Sequence, residues 1–69
     1  MARYFVIKRN NSEEMHIVPD DYEIIPNNII SGGFIALGEG EEFFCYSDTS
    51  SNIKSREIDS KIANEMMHR

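Results

Sequence analysis

Apolar positions in this chain follow a period of two over most of its length and a period near 3.6 only after residue 54. The opening run Arg3-Tyr4-Phe5-Val6-Ile7-Lys8 is rich in β-branched and aromatic residues and predicts a strand. Asn10-Asn11-Ser12 breaks it, because Asn tolerates left-handed backbone and bonds its own main chain in turns. Residues 15–18 alternate again and predict the returning strand of a hairpin. Pro19-Asp20-Asp21 is turn chemistry, residues 22–25 form a short apolar stretch, and Pro26-Asn27-Asn28 marks another turn. An apolar run over 29–37 is interrupted by Gly32-Gly33, which predicts a bulge or a close backbone approach. Gly38-Glu39-Gly40 predicts a hairpin into 42–46, and the four aromatics of its two arms are expected to form the densest part of the core.

Residues 47–52 are small and polar and read as a connection, after which the period changes. Ile58, Ile62 and Met66, with Ala63 and Met67 beside them, define the apolar arc of a helix over about 54–68. Asp59 falls inside that arc and is rationalised as a first-turn acid facing the helix dipole. The expected fold is α+β: a small antiparallel sheet of four or five short, hairpin-linked strands spanning about 3–47, packed against one C-terminal helix. A curled, barrel-like sheet is the nearest variant. With 69 residues the chain is expected to form one small domain with one core, too short for a two-domain active-site cleft.

Charge changes the picture more than composition does. The net charge is −5, yet residues 10–53 contain nine acids and no Lys or Arg. Residues 1–9 carry +3 and residues 54–69 carry +1. Such partitioning points to carboxylates at the turns, Asp20, Asp21, Glu23, Glu39, Glu41 and Glu42, as a surface that docks a protein partner with a basic face. The expected function is therefore a non-catalytic interaction domain, accessory or inhibitor-like. The competing reading gathers Arg3, Lys8, Arg9, Lys54, Arg56 and Lys61 from the first strand and the helix into a nucleic-acid-binding surface. Homodimerisation through an exposed edge strand is a further expectation.

Enzyme and metal chemistry find little support in the residue pattern. Cys45 is the sole cysteine, so no intrachain disulfide forms and a closed structural zinc site lacks ligands. It sits between Phe44 and Tyr46, where a thiol packs as a small hydrophobe. His16 with Asp20 and Asp21 is the best metal candidate by ligand type, but its spacing matches no established loop, and turn capping explains the acids better. Gly38-Glu39-Gly40-Glu41-Glu42-Phe43 lacks the third glycine of a phosphate loop and is crowded with acids. No catalytic residue and no cofactor is implied. The apolar run 4–7 is too short for a signal peptide or a membrane span, and a cytoplasmic location is expected.

Overall fold

A computed structural model describes residues 2–23 and 28–67. The strands are β1 (Ala2–Arg9), β2 (Ser12–Val18), β3 (Ile29–Leu37) and β4 (Phe43–Tyr46), followed by helix α1 (Glu57–Met67). They form one antiparallel sheet in the order β2-β1-β3-β4, so the fold is α+β and the sheet is open rather than closed into a barrel. Two of the strand connections are hairpins. The third is not, because the chain leaving β2 crosses to the far side of β1 before β3 begins. The stretch 22–25, expected as a further strand, is non-strand at Tyr22 and Glu23; its remainder lies outside the described residues.

Local chemistry explains the turns. Asn10 and Asn11 take φ of 51° and 67°, the left-handed pair that a two-residue hairpin needs to match strand twist. Gly33, with φ of 154°, has its Cα so near β4 that a Cβ would fall 2.0 Å from the Tyr46 carbonyl oxygen. The glycine pair therefore marks a close approach of two strands. The bulge lies a little earlier, where the register slips between Val6 opposite Ser31 and Ile7 opposite Ile29.

Register assigns the two faces of the sheet. Tyr4, Val6, Met15 and Ile35 project to the face covered by α1, where they are buried with Ala63; Ile17, Phe43, Cys45, Ile62 and Met66 pack around them. This core is centred on β1, not on the β3–β4 hairpin as the aromatic density suggested. Phe44 and Tyr46 alternate to the opposite face and remain 43% and 50% exposed.

The helix is also rotated from its expected setting. Ile58 is 51% exposed, whereas Asp59 is wholly buried. The cause is a polar anchor. Asp59 accepts hydrogen bonds from the Tyr4 hydroxyl (2.6 Å), the Ser31 hydroxyl (3.1 Å), the Arg56 backbone N–H (3.0 Å) and the Arg56 Nε–H (3.1 Å). Its bond to the Arg56 N–H is the returning half of a capping box, so one carboxylate both starts the helix and ties it to β1 and β3. Tyr4 has a single hydroxyl proton; it donates to Asp59 and accepts from Ser55 Oγ at 2.6 Å.

Side chains of α1 reach the outer edge of β4. The Phe43 N–H donates to Asn64 Oδ1 (2.7 Å), Asn64 Nδ2 donates to the Phe43 carbonyl (3.1 Å), and the Cys45 N–H donates to Ser60 Oγ (3.0 Å). Four helical residues rise about 6 Å and two strand residues about 6.8 Å, so Ser60 and Asn64 match alternate strand amides. No helix among the described residues is long and apolar enough to cross a membrane.

Candidate functional site

Strand directions decide where the acidic residues go. β1 begins at the end of the sheet where β2 and β3 finish, since both run antiparallel to it. The Pro19-Asp20-Asp21 turn leaving β2 and the Gly38–Glu42 hairpin leaving β3 therefore share one end of the molecule. Asp20, Asp21, Glu39, Glu41 and Glu42 are all exposed there. Local hydrogen bonds shape both turns: Tyr22 N–H to the Pro19 carbonyl at 3.0 Å, Gly38 N–H to the Glu42 carbonyl at 2.8 Å, and Glu41 N–H to the Gly38 carbonyl at 3.1 Å. Glu41 holds φ of 60°, a left-handed setting that elsewhere among the described non-glycine residues only Asn10, Asn11 and Asn28 adopt.

Glu23 is exposed but set apart from these five. It lines a recess of about 250 Å³ on the helix-free face, with Arg3, Phe5, Gly32, Asp48 and Ile53. Asp48 forms an ion pair with Arg3 and accepts from Ser50 N–H (3.0 Å) and Ser50 Oγ–H (2.7 Å). The hydrogen bonds from Ser50 and the neighbouring Arg3 guanidinium hold its carboxyl below the usual Asp range. Residues 47–52 are accordingly an ordered loop rather than a passive connection.

Among the described residues, Glu13, Glu14 and Asp48 of the middle segment meet cations of the same chain. Glu13 pairs with Arg56 at 2.7 Å, Glu14 with Arg9 at 3.9 Å, and Asp48 with Arg3. The hydrogen bond from Arg56 also lowers the Glu13 pKa. Asp20, Asp21, Glu23, Glu39 and Glu42 make no ion pair within 4 Å among the described residues. The pairings of Glu13 and Asp48 cross 43 and 45 residues of sequence, so no local spacing signals them.

The cations are not gathered in one place. Lys8 and Arg9 lie at the β1–β2 hairpin, with Arg56 close by through Glu13. Arg3 lies toward the other end of β1, against the Phe34 ring. Lys61 lines a shallow depression beside Glu41 and Glu42, and the Lys54 backbone carbonyl accepts from Gly32 N–H. Arg3, Arg9 and Arg56 are all engaged by carboxylates.

The metal and nucleophile candidates are placed as follows. His16 stacks on Phe5 with ring centroids 5.1 Å apart, while Asp20 and Asp21 belong to the turn beyond the strand. Among the described residues, no three His, Cys, Asp or Glu side chains are grouped to hold a metal ion. Burial is the largest of the effects that push the Cys45 thiol above its ordinary pKa, which disfavours the thiolate. His68 and Arg69 lie outside the described residues.

Sequence reasoning missed the helix-free face. Register brings Arg3, Phe5, His16, Phe34, Phe44 and Tyr46 to it, with Phe34 directly opposite both Arg3 and Tyr46. The Arg3 guanidinium carbon lies 5.0 Å from the Phe34 ring centroid. The alternation 44, 46 was readable; which face the helix would choose was not. No protein-family model, curated protein or solved structure matches this chain.

Proposed function

We propose that this chain is a small, non-catalytic interaction domain of the cytoplasm that docks a protein with a basic surface through the acidic turns at one end of its sheet. In this reading it is an accessory or inhibitor-like component. The observation carrying it is the convergence of the Pro19-Asp20-Asp21 turn and the Gly38–Glu42 hairpin on a single end. The paired acids Glu13, Glu14 and Asp48 belong to internal contacts, whereas Asp20, Asp21, Glu39 and Glu42 make no ion pair with a described cation. Carboxylates concentrated in this way raise the local negative potential and steer a cationic surface toward it.

Titration of a labelled oligolysine peptide at about 50 and 300 mM salt tests the reading. Affinity is expected to fall steeply with salt, and Glu39→Lys with Glu42→Lys should weaken low-salt binding about tenfold. Unchanged affinity in the doubly reversed protein removes it.

A further inference from the structure

The helix-free face of the sheet offers a second kind of chemistry beside the acidic end. Phe44 and Tyr46 stand on β4 with roughly half of their surface exposed, and Phe34 adjoins Tyr46 across the strand pair. Exposed rings so concentrated in a 69-residue chain are an apolar patch of the kind that marks an interaction surface. Three occupants could cover it: a second copy, a single-stranded nucleic acid stacking its bases, or a cationic peptide segment.

Charge selects among them. Register places Arg3 and Arg9 on this face; Asp48 hydrogen-bonds the first, and Glu14 lies 3.9 Å from the second. Glu14 and Glu23 border the same face, and the hairpin with Glu39 and Glu42 projects from its end. A phosphate backbone laid across these rings would meet carboxylates and no uncommitted guanidinium among the described residues. Two copies stacked face to face would set ring against ring and leave the carboxylates that border the face without counter-charge. A cation meets neither obstacle, and Arg3 shows the favourable geometry within the chain: a guanidinium over Phe34, gripped from the side by a carboxylate.

Resting on the docking function above, we propose that the partner's basic segment is read specifically for arginine, with guanidinium groups stacking on Tyr46 and Phe44 while the acidic end supplies the counter-charge. Arginine suits this face better than lysine because its planar, weakly hydrated guanidinium stacks on a ring and keeps its in-plane donors for carboxylates. The acidic turns confer attraction to positive charge in general; the rings confer the preference.

The test compares labelled oligoarginine and oligolysine of equal length, together with a single-stranded oligothymidine, by fluorescence anisotropy on the intact chain. Labels sit on the probes because the protein has no tryptophan. Oligoarginine is expected to bind about five-fold more tightly than oligolysine. Phe44→Ser with Tyr46→Ser should bring the two peptides to equal affinity without abolishing binding, and Tyr46→Phe, which keeps the ring, should preserve the preference. Circular dichroism confirms that the variants retain their fold; should the double variant unfold, each single serine replacement must still reduce the preference. Glu39→Lys with Glu42→Lys should weaken both peptides alike. Equal binding of the two peptides to the unaltered protein overturns the proposal while leaving the docking function standing. Loss of all peptide binding overturns both. Tighter binding of oligothymidine than of oligoarginine, or a dimer in light scattering that the serine variants dissociate, assigns the face to another occupant and also overturns it.

Discussion

Asp59 is the residue on which sequence and structure differ most instructively. An acid inside an apolar arc reads as a tolerated blemish, yet here it is wholly buried and takes four hydrogen bonds. Removing it leaves the Tyr4 and Ser31 hydroxyls buried without their acceptor, so Asp59→Ala should cost about 3 kcal/mol in urea unfolding. Tyr4→Phe should cost about 1–2 kcal/mol, and the double variant less than the sum because both changes break one network. The same contact sets a pH limit. Burial, followed by the hydrogen bond to the Asp59 carboxylate, raises the Tyr4 phenol above its ordinary value of about 10. An acid whose folded pKa is raised contributes full stability below its unfolded pKa and loses it as pH climbs beyond. Stability should therefore decline above about pH 10, and Tyr4→Phe should flatten that alkaline limb in a thermal-melt series. Asp48 and Glu13 have lowered values, so their contribution is present above about pH 4 and disappears as pH falls below it. The long-range Asp59 partners Tyr4 and Ser31 could not be found by spacing. Tyr4 and Asp59 are 55 residues apart, and only the docked helix brings them together.

Elements were legible where a local rule dominates and obscure where packing decides. The Asn10-Asn11 turn, the hairpin after Leu37 and the C-terminal helix follow from turn chemistry and period, and each appears where the pattern put it. The Gly32-Gly33 pair was readable as a bulge or a close approach; the neighbouring strand decides between them. Gly33→Ala should cost about 3 kcal/mol, because its Cβ would strike the Tyr46 carbonyl, while Gly40→Ala, which meets nothing within 4 Å, should be nearly neutral. Urea unfolding of the two variants separates the readings. Strand order was not legible, since alternation says which residues share a face and not which strand pairs with which. Order has a consequence for association. Ser60 and Asn64 occupy the outer amides of β4, leaving β2 as the described edge without such a cover. Ser60→Ala with Asn64→Ala exposes the β4 edge, and light scattering should then detect a concentration-dependent increase in mass over that of the unaltered chain.

At the scale of the whole molecule, the partition of charge along the chain becomes a partition in space, though not the one that two basic ends suggested. The cations of β1 and of the helix start are spread along the sheet and largely consumed by Glu13, Glu14 and Asp48, whereas the acids of two distant turns meet at one end. Position should then matter more than net charge, and reversals of equal magnitude distinguish the two. Glu39→Lys and Glu57→Lys each change the net charge by the same amount, but Glu39 lies in the acidic hairpin and Glu57 begins the helix, next to Arg56. Attraction governed by net charge alone would slow association with a basic peptide equally in both variants. Steering by a localised field should slow it several-fold in the Glu39 variant and far less in the Glu57 variant, with dissociation little changed in either. Raising salt should erase the difference, because it shortens the reach of the acidic field below the roughly 8 Å of physiological salt, so that the field no longer steers an approaching peptide. Stopped-flow association rates at two salt concentrations decide the matter; equal slowing by the two reversals would mean that the acidic end has no privileged role.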